Sequence, residues 1–81
     1  MHQEYEGILK RVFEDKDQST GIVYFRIAEI LISSPEPSTA GEIYYFTMRF
    51  PISREKYETL QKKIEESQGQ LKVKINLEDK L

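Results

Sequence analysis

Between Ser53 and Gly69 the sequence leaves the two-residue repeat of a β-strand and takes up the repeat of an α-helix. Tyr57, Leu60 and Ile64 recur at intervals of three and four residues and form one narrow apolar stripe. Ser53 is a good N-cap because its side-chain oxygen can accept a hydrogen bond from a free N–H group of the first turn. We therefore expect one amphipathic helix that buries a single face and ends at Gly69 in a left-handed conformation.

Four other segments have the composition of β-strands. In the last of them Leu71, Val73, Ile75 and Leu77 alternate with polar residues, which predicts one buried and one solvated face. Gly7, inside the first segment, indicates a bend, a bulge or a close approach of backbone. The four predicted strands span residues 5–13, 21–33, 41–51 and 70–81.

The second predicted strand changes its apolar face partway along. Its odd positions are apolar up to Ile27 and become charged at Glu29, whereas its even positions become apolar from Ala28 onward. A β-bulge near Ala28 and Glu29 would produce this change. The alternative is that both faces of the strand are covered. Pro51, which has no N–H group, is expected to end the ladder of the third strand.

The predicted order of elements is β-β-β-α-β, within a single domain over residues 1–81. Short loops between the first three strands favour an antiparallel meander. A right-handed crossover through the helix would then bring the fourth strand back parallel to the first. The sequence thus predicts an α+β fold with a four-stranded, mainly antiparallel sheet in the order 3-2-1-4 and one helix on one face. A partial OB-like barrel, closed by a sharply bent second strand, is the alternative.

Composition narrows the classes of function. The net charge is −2, from 12 basic and 14 acidic residues, and no segment is strongly basic, which disfavours nucleic-acid binding. The chain has no cysteine, so it can form no disulfide or thiolate metal site. No apolar run reaches the length of a membrane span, and the first residues lack the pattern of a signal peptide. We expect a cytoplasmic protein without a membrane partner.

The sequence shows no arrangement typical of a catalytic or cofactor site. The single histidine is His2, near a chain end, and no phosphate-binding glycine motif is present. Glu14, Asp15 and Asp17 cluster in the first loop, where we expect a solvated acidic turn in preference to a Ca²⁺ or Mg²⁺ site. We therefore expect no enzyme activity, no cofactor and no metal.

Two predicted strands combine aromatic rings with guanidinium groups, Tyr24 with Arg26 on one and Tyr45 with Arg49 on the other. Sheets of this kind hold single-stranded nucleic acid through base stacking and backbone charge. Residues 19–27, STGIVYFRI, resemble the second strand of OB domains in enzymes that handle single strands. That resemblance, over nine residues, implies single-strand binding as an alternative function.

One helix cannot cover a sheet that is apolar on both faces. In the segment GEIYYFTMRF, Tyr44 and Tyr45 place a large ring on each face. We expect the face opposite the helix to carry several of Tyr5, Leu9, Tyr24, Ile43 and Tyr45. An exposed aromatic patch marks an interaction surface, unless the sheet curls to bury both faces within one chain.

The sequence therefore predicts a small non-enzymatic interaction or regulatory module. It would bind a partner protein through an aromatic sheet face or edge, with a second copy of itself as one such partner. The expected contact residues are Tyr24, Arg26, Tyr45 and Arg49.

Overall fold

A computed structural model of the chain describes the backbone of residues 2–78 and the side chains of residues 4–76. The predicted order of elements is confirmed. The elements are β1 (His2–Lys16), β2 (Val23–Ser33), β3 (Tyr45–Ile52), α1 (Arg54–Glu66) and β4 (Leu71–Glu78). They form one four-stranded sheet in the predicted order β3-β2-β1-β4.

The direction of β4 differs from the prediction, because β4 pairs with β1 antiparallel and not parallel. Ile52, at the end of β3, lies level with Glu14 of β1, since both pair with Arg26. Leu71, which follows the helix, pairs with Leu9. The helix thus carries the chain partway back along β1, and β4 continues in the same direction instead of reversing.

The sheet is open, so the alternative of a partial OB-like barrel is wrong. Over residues 2–78, β3 pairs with β2 alone and β4 with β1 alone, which leaves two edges. The strands are also staggered. β1 pairs with β2 through residues 7–16 and with β4 through residues 2–9.

The bulge predicted near Ala28 and Glu29 of β2 is absent; the extra residue at this level lies in β1, and the irregularity of β2 is at Tyr24. Leu9 pairs with Ile30 and Arg11 with Glu29, so Lys10 is the extra residue. Ala28 and Ile30 are both buried, which shows that β2 keeps its alternation through this region. The charged residue at position 29 belongs to the opposite face and needed no inserted residue to put it there.

The helix packs on one face of the sheet, as predicted. Lys56 donates its backbone N–H to the Ser53 side chain at 3.1 Å, which confirms the N-cap. Gly69 has a φ of 78°, and the preceding Gln68 also has a positive φ of 56°. Leu60 and Ile64 contact the buried core, although no residue of α1 is itself fully buried. The buried core comprises Leu9, Ala28, Ile30 and Ile32.

Gly7 and Pro51 both take positions that suit their chemistry. A Cβ atom at Gly7 would lie 2.7 Å from Ile30 Cγ2 and 2.9 Å from the Leu31 carbonyl oxygen, so this glycine permits a close approach. Pro51 does not end β3. It lies inside the strand opposite Ile27, which an edge strand tolerates because proline need not donate toward the solvent side.

The chain is extended for its size. Its radius of gyration is 15.2 Å, compared with about 12 Å for a compact domain of this length. It exposes 6552 Å², whereas a compact monomer of 9.6 kDa exposes about 5,100 Å². Both values show that the chain is less compact than a typical monomer of its size. In the part of the chain described, the helix is too short and too polar to span a bilayer.

Candidate interaction surface

The sheet face turned away from α1, here called the open face, is not covered by any described element. Residues paired in an antiparallel sheet share a face, so the register assigns its members. On β1 and β2 they include Ile8, Arg11, Phe13, Phe25, Ile27, Glu29 and Leu31, and on β3 and β4 they include Tyr45, Thr47, Arg49, Lys72 and Lys74.

Two arginines share one carboxylate at the centre of the open face. Arg11 donates from Nε to Glu29 Oε1 at 3.2 Å and from Nη2 to Oε2 at 3.4 Å. Arg49 donates from Nε to Glu29 Oε2 at 2.9 Å. The Glu29 side chain is only 16% exposed, whereas those of Arg11 and Arg49 are 54% and 60% exposed. In this cluster the two guanidinium groups are exposed to solvent, and the carboxylate between them is largely enclosed.

The same contacts keep Glu29 ionised. Hydrogen bonds from the Arg11 guanidinium, supported by Arg49, hold the pKa of Glu29 below its ordinary value. A charged donor favours the ionised form of a carboxyl because the hydrogen bond is stronger to the anion. The cluster carries a local excess of one positive charge at neutral pH.

The Phe13 ring contacts both guanidinium groups. The Arg11 Cζ atom lies 4.3 Å from the centre of the Phe13 ring, and the Arg49 Cζ atom lies 5.6 Å from it. Both distances fall within the range of a cation–π contact. The ring and Glu29 together restrict the two arginine side chains. Binding a partner therefore costs less side-chain entropy than it would with unrestrained arginines.

Apolar surface flanks the arginine cluster at both ends of the strands. Phe25 is 59% exposed and Tyr45 is 62% exposed. A shallow depression of about 420 Å³ lies beside Tyr45, and Ile8, Leu31 and Lys72 are among its lining residues. Along the strands, the open face therefore presents an aromatic ring, then the pair of guanidinium groups, then the apolar depression.

The structure separates the four predicted contact residues. Tyr45 and Arg49 lie on the open face. Arg26 lies on the opposite face, where its Cζ atom is 5.9 Å from the Tyr57 ring and its Nε is 3.4 Å from the Glu14 carboxylate. Tyr24 interrupts the ladder beside the β1–β2 connection, about 30 Å along the strand from Tyr45. The four residues therefore do not form one surface.

Two other residues predicted for the open face are on the helix side. Leu9 is 1% exposed and belongs to the core. Tyr5 packs against that core, and its ring meets Phe46 edge-on at 6.2 Å. Arg11 and Phe13 were not predicted for the open face. They follow Leu9 by two and four residues, which in a regular strand would put them on the same face as Leu9. The extra residue Lys10 puts them on the opposite face.

Of the three acidic residues expected to cluster in the first loop, Glu14 and Asp15 belong to β1, and only Asp17 lies in the connection. The Asp17 carboxylate accepts from the Ser19 hydroxyl at 2.7 Å and from the Ser19 backbone N–H at 2.8 Å. These bonds lower the pKa of Asp17. Glu14 points instead to Arg26. Among the described side chains, no three or more His, Cys, Asp or Glu residues are grouped to hold a metal ion.

Comparison with known proteins adds no assignment. No protein-family model matches this chain, and no curated protein or solved structure is significantly similar to it.

Proposed function

We propose that this protein is a small non-enzymatic interaction or regulatory module that binds a partner protein through the open face. One observation carries the proposal: an uncovered sheet face presents Phe25 and Tyr45, both more than half exposed, around a restrained pair of arginines. Exposed apolar patches rimmed by polar groups mark interaction sites. Tyrosine, phenylalanine and arginine are the residue types enriched in such contacts.

The chemistry of the open face indicates the kind of partner surface. Arg11 and Arg49 satisfy one carboxylate between them and retain further N–H donors, which fit a carboxylate in the fork geometry of arginine. The rings and the depression beside Tyr45 require apolar side chains. The proposed partner surface therefore carries Asp or Glu residues among apolar groups.

A photo-reactive phenylalanine analogue at Phe25 tests this proposal in cells that express the protein. The control carries the same analogue at Glu58, whose side chain is 61% exposed on α1 and not on the open face. We expect a protein to cross-link from position 25 and not from position 58. Equal cross-linking from both positions, or none from position 25, contradicts the proposal.

The cross-linked protein is then purified and titrated against variants of this chain. We expect Phe25→Ser and Arg11→Ala each to weaken binding at least about tenfold, since truncating a hot-spot residue costs about 2 kcal/mol or more and about 1.4 kcal/mol is tenfold. Glu58→Ala is the control and should leave the affinity unchanged. Unchanged affinity in both open-face variants would remove the open face as the site.

Single-stranded nucleic acid is the second candidate, because guanidinium groups beside exposed rings also fit bases and phosphates. The sharing of Glu29 by both arginines and the net charge of −2 weigh against it. Fluorescence anisotropy of a labelled oligonucleotide at low salt distinguishes the two. We expect no binding; binding that weakens as salt is raised would favour nucleic acid.

A further inference from the structure

Among residues 2–78, no strand pairs with the outer edge of β3, so this edge presents unpaired backbone groups. Just before the strand, Tyr44 uses both of its backbone groups toward β2: its carbonyl accepts from the Ser34 N–H at 2.8 Å, and its N–H donates to Ser34 Oγ at 3.2 Å. Successive residues of a strand direct these groups to alternate sides, and the β2–β3 pairing has no register shift. The residues whose N–H and C=O groups face outward are therefore Tyr45, Thr47 and Arg49, while Pro51 adds a carbonyl.

The helix-side surface of β3 is also incompletely covered. The helix packs chiefly against β1 and β2, and a groove of about 450 Å³ remains between α1 and the sheet, reaching Phe50 and Ile52. Phe46, Met48 and Phe50 stay partly exposed on this surface. Tyr44 beside them is 70% exposed. The edge of β3 thus combines free backbone donors and acceptors with a strip of unburied apolar side chains.

We propose that a second copy of this chain pairs antiparallel with β3 along this edge, about a two-fold axis at Thr47, and extends the sheet to eight strands. Thr47 then lies opposite the partner's Thr47, and the outward groups of both chains meet as hydrogen-bonded pairs. The contact shares Tyr45 and Arg49 with the open face, so the dimer would leave the part of that face around Arg11, Phe13 and Phe25 accessible on both copies.

The side chains of β3 favour this register. It places Tyr45 opposite the partner's Arg49, where an exposed ring meets a guanidinium group. On the helix side it places Phe46 opposite the partner's Met48, and Tyr44 opposite the partner's Phe50. Both exposed tyrosines then gain a partner, one on each face of the sheet.

A register shifted by two residues, which moves the axis from Thr47 to Met48, is less favourable. It brings the two copies of Arg49 onto neighbouring diagonal positions, where like charges repel. It also sets Tyr45 opposite the partner's Pro51, which cannot donate a hydrogen bond. An axis at Thr47 avoids both.

The surface area of the chain is large enough for a contact with a second copy. The exposed area exceeds that of a compact monomer by about 1,450 Å². A standard interface removes about 800 Å² from each partner. The chain therefore has more uncovered surface than one dimer contact requires.

Sedimentation equilibrium of the purified chain tests the dimer. The expected species is a dimer of the 9.6 kDa chain. Thr47→Pro removes one outward N–H group that the fold itself does not use, so we expect a folded monomer, with folding checked by circular dichroism. Thr47→Val retains the N–H group and a β-branched side chain, and should remain dimeric. A wild-type chain that is monomeric at every concentration, or a folded Thr47→Pro dimer, overturns the proposal.

A single introduced thiol tests the register, since the chain has no cysteine. On the proposed axis the two Cα atoms at position 47 lie about 5.5 Å apart, which is within the range for a disulfide. Thr47→Cys should therefore oxidise to a covalent dimer faster than Met48→Cys, whose copies are offset along the strands. Preferential cross-linking at position 48 overturns the axis at Thr47.

The same variants separate this proposal from the function of the open face. Phe25→Ser should leave the dimer intact, because Phe25 is on β2 and not at the β3 edge. Thr47→Pro should leave cross-linking from position 25 intact. Loss of both properties in either variant would show that the two surfaces are one, and would overturn the separate β3 contact.

Discussion

Arg49 on the edge strand β3 donates a hydrogen bond from its Nε to Glu29 Oε2 on β2 across 2.9 Å. Glu29 is also held by Arg11 on β1, so one carboxylate joins three adjacent strands. This contact lies on the face without a helix. It gives that face a fixed arrangement of charge where other sheets have a second layer of apolar packing.

Glu29→Gln should lower thermal stability at neutral pH and much less in acid. The pKa of Glu29 is depressed in the folded chain below its ordinary value of 4.5. Its contribution to stability is therefore fully present above that value, and it is lost as the pH falls through the lower, folded value. Melting temperatures of both proteins across pH 2–7 provide the measurement. A difference between them that is independent of pH contradicts the assignment.

Gly7→Ala should destabilise the fold. The added methyl group would lie 2.9 Å from the Leu31 carbonyl oxygen, which is backbone and cannot move aside as a side chain does. We expect a loss of roughly 1–3 kcal/mol in the free energy of unfolding, as for other overpacked sites. Urea denaturation at one fixed protein concentration measures it. Glu6→Ala, at the exposed position just before Gly7, is the control and should change stability by less than about 0.5 kcal/mol.

Ser53→Ala should weaken the start of α1. The Ser53 side chain accepts the Lys56 N–H at 3.1 Å, and alanine leaves that donor without this partner. The expected loss is about 1 kcal/mol. Ser53→Asp supplies another capping oxygen, so it should keep stability near that of the unmodified chain. Equal losses in both variants would show that the hydroxyl of Ser53 does not act as a cap.

Ile32→Ala should be among the most damaging single truncations. Ile32 is 0% exposed and lies in the small core under α1. Removing its branched chain leaves a cavity and should cost about 2–5 kcal/mol. The matched control is Ile22→Ala, because Ile22 is 56% exposed in the β1–β2 connection. Its effect should stay within about 0.5 kcal/mol; similar losses at the two positions would contradict the assigned core.

Local periodicity was enough to identify the elements and most of the sheet. The stripe of Leu60 and Ile64 and the cap at Ser53 were readable because both depend on neighbours within two turns of a helix. The alternation from Leu71 onward was equally local. The order 3-2-1-4 followed from short connections between strands and one helical crossover.

The candidate surface was only half readable from the sequence. Tyr45 and Arg49 are on the open face, but the predicted surface also included Tyr24 and Arg26, which lie elsewhere. The sequence does not show which face of the sheet a side chain occupies. Two strands with similar tyrosine and arginine content were therefore assumed to form one surface. The pairing of Glu29 with two arginines would have identified the open face. That pairing can be recognised only when the strand register is known.

The sequence by itself determined what kind of structure each segment forms, because period, capping and turn residues act between near neighbours. Only the tertiary structure decided that β4 runs antiparallel to β1, since that depends on where along β1 the helix returns the chain. It also decided that Arg11 and Phe13 face away from α1. The extra residue at Lys10 changes the alternation of β1, and pairing with the neighbouring strand is what gives a bulge its position.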